Sequence, residues 1–565
     1  MAVENLITEH IDIWTSAVKT RSTSGRGSSK KLELYGIKKL RKLILELAVH
    51  GKLVPQDPND EPADILVQRI MAKKKELLAD GTLKKAKKSK VHDAIISAEE
   101  LPLGWVAADF GDITFNLDAQ RIPLSVSERK GRQGIYDYYG ASGVIDSIDA
   151  YLFDKPLLLI GEDGANLVNR STPIAFMARG KYWVNNHAHV IDGISEDFLI
   201  YLSLYINSIS LIPYITGMAQ PKMNQAKMNS ILVLLPPEKE QHRIVAKVDE
   251  LMTLCDQLEQ QTEASIEAHQ VLLTTLLDTL TNSADANELM QNWARISEHF
   301  DTLFTTEESI DQLKQTILQL AVMGKLVPQD PTDEPAAELL KRIAEEKVQL
   351  VKEKKIKKHP AVEPIGELGD IPQSWERIVV QDFADIKLGS TPSRHESKYW
   401  NGDIPWVSSG EVANNIIYDT NEKITHDGFM NSSTSIIPKR SLLMAIIGQG
   451  KTRGQTALLE VDACTNQNVA AFIFNENFVI PEYVWLWAKS KYDAHRQGGH
   501  GGAQPALNAK KVRSFAFPLP PTSEQKKIVE RVEEIHSVCD HLAARLKEGQ
   551  NTQIQLTDAI VGQVM

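Results

Sequence analysis

The stretch LLMAIIGQGKTRGQ, Leu442 to Gln455, ends an apolar run in a glycine loop carrying Gly450, Lys451 and Thr452. A nucleotide-binding P-loop ends the same way, so phosphate binding is the first chemistry to weigh. The pattern GxxxxGK[ST] requires glycine five residues before Gly450, and Ala445 stands there. Arg453-Gly454-Gln455 is also a poor start for the helix whose N-terminus would cradle the phosphates. A counterpart, LLLIGEDGANL (Leu157 to Leu167), keeps the apolar run and the glycines without the Lys-Thr pair. A loop shared in form and variable at its tip fits both stretches; an ATP site fits only one. Other catalytic patterns are missing: there is no GxSxG, no HExxH, no Asn/Asp-Pro-Pro-aromatic motif and no S-adenosylmethionine loop. The His187-Ala188-His189 pair shows no clear carboxylate or cysteine companion and reads as structural.

Basic and amide side chains on glycine-rich loops remain. The first group is Arg121, Arg129, Lys130 and Arg132, followed by Asn166. The second is Ser390, Thr391, Arg394 and Lys398, then Gln449, Lys451, Thr452 and Arg453, then Arg496, Lys510 and Lys511. These types suit DNA, because Arg reads guanine and Asn or Gln reads adenine through paired hydrogen bonds, while Lys, Ser and Thr hold phosphates. Polar surface loops without a ligand are the plain alternative. The aromatics Tyr136, Tyr138, Tyr139, Trp400 and Trp406 read as core ahead of base-stacking groups.

The elements that must position these loops are written twice. LAVHGKLVPQDPNDEPA (Leu47 to Ala63) returns as LAVMGKLVPQDPTDEPA (Leu320 to Ala336), with 15 of 17 positions identical. LPLGW, around Trp105, matches IPQSW, around Trp375; QPKMN…LLPPEKEQ, from Gln220, matches QPALN…PLPPTSEQ, from Gln504. Three collinear pairs make two copies of one unit. The stretches 114–219 and 387–503 are not repeated and share only a strand-rich character. A duplicated scaffold with two different inserts suits reading two different things at a fixed separation.

After Pro236-Pro237 and Pro520-Pro521 the chain turns helical. Ile244, Val248, Leu251, Cys255 and Leu258 form one heptad seam; Ile528, Val532, Ile535, Cys539 and Leu542 form another with the same steps. Without Pro or Gly from Glu238 to Thr281, the first helix can run about 60 Å. The two seams are expected to pair with each other, antiparallel, in a pseudo-two-fold molecule, ahead of the alternative that each packs on its own domain. Gly51 and Gly324 sit as helix C-caps. The Lys-rich tails at Lys84 to Lys90 and Lys352 to Lys358 read as solvated faces, and Arg21 to Ser29 as a flexible linker.

Composition restricts the class. The 565 residues, 42% hydrophobic and 24% charged, are ordinary for a globular protein, and the net charge of −11 leaves DNA contact to local basic surfaces. Three cysteines without CxxC spacing argue against structural zinc or disulfides and fit a reducing cytoplasm. No apolar run is long enough to span a membrane.

The doubled LAVxGKLVPQDP block, the Trp-centred start of each insert and the QPxxN…PLPPxxEQ passage into a heptad helix resemble one family. It is the DNA specificity (S) subunit of type I restriction–modification enzymes, most like the type IB group. The resemblance implies a mixed α+β fold with internal pseudo-two-fold duplication. Two α/β target-recognition domains would be separated by long antiparallel, coiled-coil-like conserved helices. The expected boundaries are 1–100 (conserved helical region), 101–237 (first target-recognition domain), 238–282 (central long helix), 283–370 (second helical region), 371–521 (second target-recognition domain) and 522–565 (C-terminal helix). By position, Gln220 to Met228 and Gln504 to Val512 are expected near DNA, which adds Lys222, Asn224, Lys227, Gln504 and Asn508. The resemblance implies no catalytic residue, metal or cofactor in this chain. Its expected partners are double-stranded DNA, two methyltransferase subunits using S-adenosylmethionine, and restriction/translocase subunits using ATP and magnesium. A scaffold whose inserts bind other proteins stays open as the alternative.

Overall fold

A computed structural model describes residues 3–22, 30–84, 101–217, 220–284, 286–448, 451–497 and 507–564. It divides into two compact units: residues 1–23, 29–264 and 550–565 form one, and residues 265–549 form the body of the other.

In the first unit, helices α1 (Tyr35–Val49) and α2 (Ala63–Ala79) precede strand β1 (Val106–Asp109). The insert then supplies β2 (Phe115–Asn116), β3 (Gln133–Gly140), β4 (Gly143–Ile148), β5 (Leu157–Gly161), β6 (Ala175–Ala178), β7 (Tyr182–Val184) and β8 (Ala188–Asp192). Helix α3 (Glu196–Ser208), the single turn α4 (Gln225–Asn229), strand β9 (Leu232–Leu235) and helix α5 (Glu238–Thr281), which passes into the other unit at residue 265, complete the run. β1 and β9 pair antiparallel, so the insert begins and ends side by side. Its strands make one sheet ordered β2-β8-β5-β6 and another ordered β4-β3-β7.

The second unit repeats this plan. It holds α6 (Glu307–Val322), α7 (Ala336–Lys352), β10 (Glu376–Val379), β11 (Asp385–Leu388), β12 (Trp400–Val407), β13 (Asn415–Ile417) and β14 (Glu422–Ile424). Then come β15 (Leu442–Ala445), β16 (Thr456–Leu459), β17 (Cys464–Thr465), β18 (Val469–Ile473), α8 (Pro481–Ser490), α9 (Ala509–Arg513), β19 (Ala516–Leu519) and α10 (Thr522–Val564), whose residues from 550 belong to the first unit. β10 pairs with β19; one sheet runs β11-β18-β15-β16-β13 and the other β14-β12-β17. The middle strand of each smaller sheet pairs antiparallel with one neighbour and parallel with the other, in both units. The two inserts, unlike in sequence, therefore share one core topology, to which the second adds the edge strand β13. What they share is pattern. β5 and β15 are short, wholly buried apolar runs, as central strands covered on both faces must be. In β15 alternate residues serve two cores: Leu442 and Met444 pack with Tyr483 and Trp487 of α8, Leu443 and Ala445 with Val407 and Val412.

The repeated motifs do one job in each copy. Gly51 and Gly324 take φ of +66° and +71° beyond their helices, lying close against Pro102 and Trp105, or Pro372 and Trp375. The Trp105 indole donates to Glu240 Oε2 at 3.0 Å and Trp375 to Glu524 Oε2 at 2.9 Å. The next residues, Gln241 and Gln525, donate to the carbonyls of Pro236 and Pro520 at 2.9 and 3.0 Å. The PP-x-x-EQ motif thus locks each long helix onto its insert. Burial pushes Glu240 up to about 7, against the bond from Trp105 and the Arg243 charge.

The seam residues are buried or half-buried. Ile528, Val532 and Cys539 share one core with Leu313 and Ile317 of α6, and Lys314 pairs with Asp540. Against the seam of α5 lies α1, whose Arg41 reaches Asp256 and Glu259 at 2.6 Å each. Within each unit the first repeated helix thus lies beside the long helix, α1 by α5 and α6 by α10. The pairing of Ile244, Val248, Leu251, Cys255 and Leu258 with Ile528, Val532, Ile535, Cys539 and Leu542 stays a proposal.

Candidate nucleic-acid interface

In both units the loop after the central strand meets the segment leading out of the insert. Gly164, at φ +107°, donates its N–H to the Pro221 carbonyl at 3.0 Å, and the Met223 N–H donates to the Glu162 carbonyl at 2.8 Å. In the second unit the Leu507 N–H donates to the Ile446 carbonyl at 2.9 Å. Met223 and Leu507 hold the same place in QPKMN and QPALN. One backbone bond therefore joins loop and outgoing segment in each copy. Asn224 and Asn508 then cap α4 and α9, accepting from the N–H groups of Lys227 (3.0 Å) and Lys511 (2.9 Å). Lys227, Lys510 and Lys511 ride on these turns, with Lys510 exposed.

The Gly-Lys-Thr loop joins antiparallel neighbours, β15 and β16. Ala445 exchanges bonds with its far end: its N–H donates to Gln455 at 2.9 Å and its carbonyl accepts from Gly454 at 2.8 Å. A hairpin presents no helix N-terminus to phosphates, so the ATP reading fails on geometry too. Lys451 is exposed, and its carbonyl accepts from the Tyr492 hydroxyl. Arg496 donates to that hydroxyl at 2.7 Å, and Arg453 donates to the Arg496 carbonyl at 3.1 Å. Lys451, Thr452, Arg453 and Arg496 are thus brought together. Gln449 and Gln504 lie outside the described residues.

A second feature recurs where the sequences differ. Arg129 lies 4.9 Å over the Tyr138 ring and pairs with Asp146 at 2.8 Å; Arg394 lies over Trp406 and Trp400 and pairs with Glu422. Tyr138 stands opposite Asp146 in the β3–β4 register, as Trp406 stands opposite Glu422 in β12–β14. The two arginines are structural equivalents, each clamping the loop before the smaller sheet onto an aromatic of its middle strand. Arg132 pairs with Asp149 and lies over Trp183 of the edge strand β7. Thr391 donates to Gln467 at 2.6 Å, the Ser390 carbonyl accepts from the Trp406 indole, and Lys130 and Lys398 are exposed. Tyr138 and Trp406 are fully buried core residues.

Three expectations change. Arg121 is only 13% exposed, its donors bonded to Glu162 (3.1 Å), the Ala188 carbonyl (2.6 Å) and the Asp118 carbonyl (3.2 Å), so it is an internal ion-pair residue, not a DNA-facing one. Asn166 ties its own loop, donating to Thr172 and accepting from Ser171. Both histidines do have carboxylate companions from distant sequence: His187 with Asp163 at 2.9 Å and His189 with Asp118 at 2.6 Å. Burial opposes charge on His189, but Asp118, the Met223 carbonyl and Glu162 outweigh it and hold its pKa above the ordinary imidazole value. Burial likewise disfavours charged Asp118, yet His189 and Arg121 keep it below the usual carboxylate range. Lys222 also joins this group, 3.1 Å from Glu162. Sequence reasoning passed over Asp118, Glu162, Glu240 and Glu524; only the last two left a trace, in the repeated Glu-Gln after each Pro-Pro pair.

A family model described as the type I restriction modification DNA specificity domain matches residues 102–268 and 372–550. The chain is 38% identical to the EcoAI type I restriction enzyme specificity subunit of Escherichia coli, over 99% of both chains. The chain belongs to the type I restriction enzyme specificity-subunit family. The EcoEI specificity subunit of Escherichia coli is similar to the same extent, 38% over 99% of each chain. Among solved structures, a chain from a type I R-M system aligns over 82% of this chain and 98% of its own, at 15% identity and a TM-score of 0.46. The HsdS subunit from Thermoanaerobacter tengcongensis aligns over 82% and 97%, at 15% identity and a TM-score of 0.39. In this member of the specificity-subunit family, the two matched segments contain the two inserts. Among the described residues no group of His, Cys, Asp or Glu is placed to hold a metal ion, and no helix is long and apolar enough to cross a membrane.

Proposed function

We infer that this chain is the DNA-recognition subunit of a type I restriction–modification complex, with one half of a split target read by each insert. The observation that carries this reading is the sharing of one core topology by two inserts of unlike sequence. A common frame with divergent loop tips suits two different base sequences read by one kind of contact. The loop carrying Lys451 to Arg453, with Arg496, Lys510 and Lys511, and in the first insert Lys130, Lys222, Asn224 and Lys227, supplies the groups for phosphates and base edges. Half-sites about one helical turn apart on the major groove fit a duplicated reader. Catalysis belongs to partners in this reading. Two methyltransferase subunits with S-adenosylmethionine modify adenine, and restriction subunits with ATP and magnesium cleave, all in the cytoplasm.

A mobility-shift assay with duplex DNA, this chain and its methyltransferase subunit tests the proposal. The expected result is binding that falls steeply as salt rises, since each phosphate contact releases counterions. Absence of salt-sensitive binding would favour the scaffold whose inserts hold other proteins, and methylation by the isolated chain would overturn the assignment of catalysis to partners.

A further inference from the structure

His189 is 1% exposed, and both of its ring nitrogens face acceptors. Nδ1 lies 2.6 Å from Asp118 Oδ2, and Nε2 lies 2.9 Å from the Met223 carbonyl oxygen. A neutral imidazole carries one N–H and can satisfy one of these; an imidazolium carries two and satisfies both. A backbone carbonyl has no proton to give, so the second bond exists only when the ring is charged. The surroundings support that charge. Asp118 and Glu162 are the carboxylates that face the ring; Arg121 and Lys222 lie beyond them and neutralise Glu162. Asp118 is itself fixed by the Val190 N–H at 2.8 Å. The nearby histidine just before the strand, His187, is engaged separately with Asp163.

Met223 sits between Lys222 and the cap Asn224, in the segment that also bonds the Glu162–Gly164 loop. We propose that His189 is a buried imidazolium that pins this outgoing segment to the first insert's sheet, making His189 a positioning residue for the first half-site alone. The second unit does the same work without charge. Register puts Ala470 at the place of His189 and Leu388 at that of Asp118, and Ile446 replaces Glu162. There the Leu507–Ile446 backbone bond remains with no titratable group among these three residues. The two halves of the target are thus held by different chemistry. Raising the pH removes a proton from one and leaves the other unchanged. The inference rests on the DNA-recognition reading for its consequence, but not for the protonation state.

Two measurements test it on the full chain. Nitrogen-15 NMR of histidine-labelled protein, with His189 assigned by comparison with H189Q, should show both ring nitrogens protonated at pH 7.5. A ring neutral at pH 7 would overturn the proposal, whatever the protein does with DNA. The second uses the chain with its methyltransferase subunit and a pool of duplexes randomised at both half-sites, selected at pH 7 and again well above the His189 transition. The expected result is a loss of about tenfold in discrimination at the first half-site, the scale of one charge-assisted hydrogen bond, with the second unchanged. H189Q should show the weakened first half at both pH values and so lose the pH dependence. Equal loss at both half-sites would overturn the positioning role. No binding to any duplex at pH 7 would count against DNA recognition and with it the positioning role, while the NMR result would still decide the protonation state.

Discussion

Lys451 projects from the hairpin between β15 and β16, its backbone held by Tyr492 and its ammonium exposed. Lys451→Ala should weaken binding of all duplexes alike and lower the salt slope by about 1, as loss of one phosphate contact does. Isothermal titration should show no ATP binding by wild type or variant. Glu240 makes a different prediction, about stability and pH. Its folded pKa of about 7 stands above the unfolded value of 4.5, so the fold favours the protonated form. The resulting penalty is absent below pH 4.5, grows between 4.5 and 7, and is complete above 7. Glu240→Gln should therefore raise the thermal midpoint relative to wild type at pH 8 and leave it unchanged near pH 4. At this scale the sequence was least legible. Lys451 could be picked out because it sits in a quotable motif. His189, Asp118 and Glu162 could not, since 71 residues separate the first pair and each looks ordinary in its own neighbourhood.

The repeated elements were the easiest to read, because duplication marks a residue as structural when both copies keep it. Gly324, at φ +71° against Pro372 and Trp375, shows why the glycine recurs. Gly324→Ala should cost more than about 1 kcal/mol, seen as an earlier urea midpoint, because alanine strains at positive φ and its methyl meets the proline. The strand order of the inserts could not be read, since short buried apolar runs such as LLLIG and LLMA do not announce their neighbours. A 4,3,4,3 spacing shows that a helix buries a stripe, not what covers it. Ile528→Ala should cost about 2–5 kcal/mol of stability. Combined with Ile244→Ala, a departure from additivity beyond about 0.5 kcal/mol is expected if the two seams pair, and additive losses would count against that pairing.

For the whole molecule, a net charge of −11 makes non-specific attraction to DNA weak and places the burden on local basic loops. Two inserts of one core topology, each beginning and ending on a paired pair of strands (β1 with β9, β10 with β19), are built to be exchanged without disturbing the scaffold. The most direct test of this account replaces residues 101–237 with the corresponding segment of a family member of different specificity. The complex with its methyltransferase subunit is then mapped by methylation of a genomic DNA library. The account predicts that one half-site changes while the other half-site and the spacing between them stay as they were. A change in both half-sites, or methylation of the original target by the exchanged protein, would contradict it.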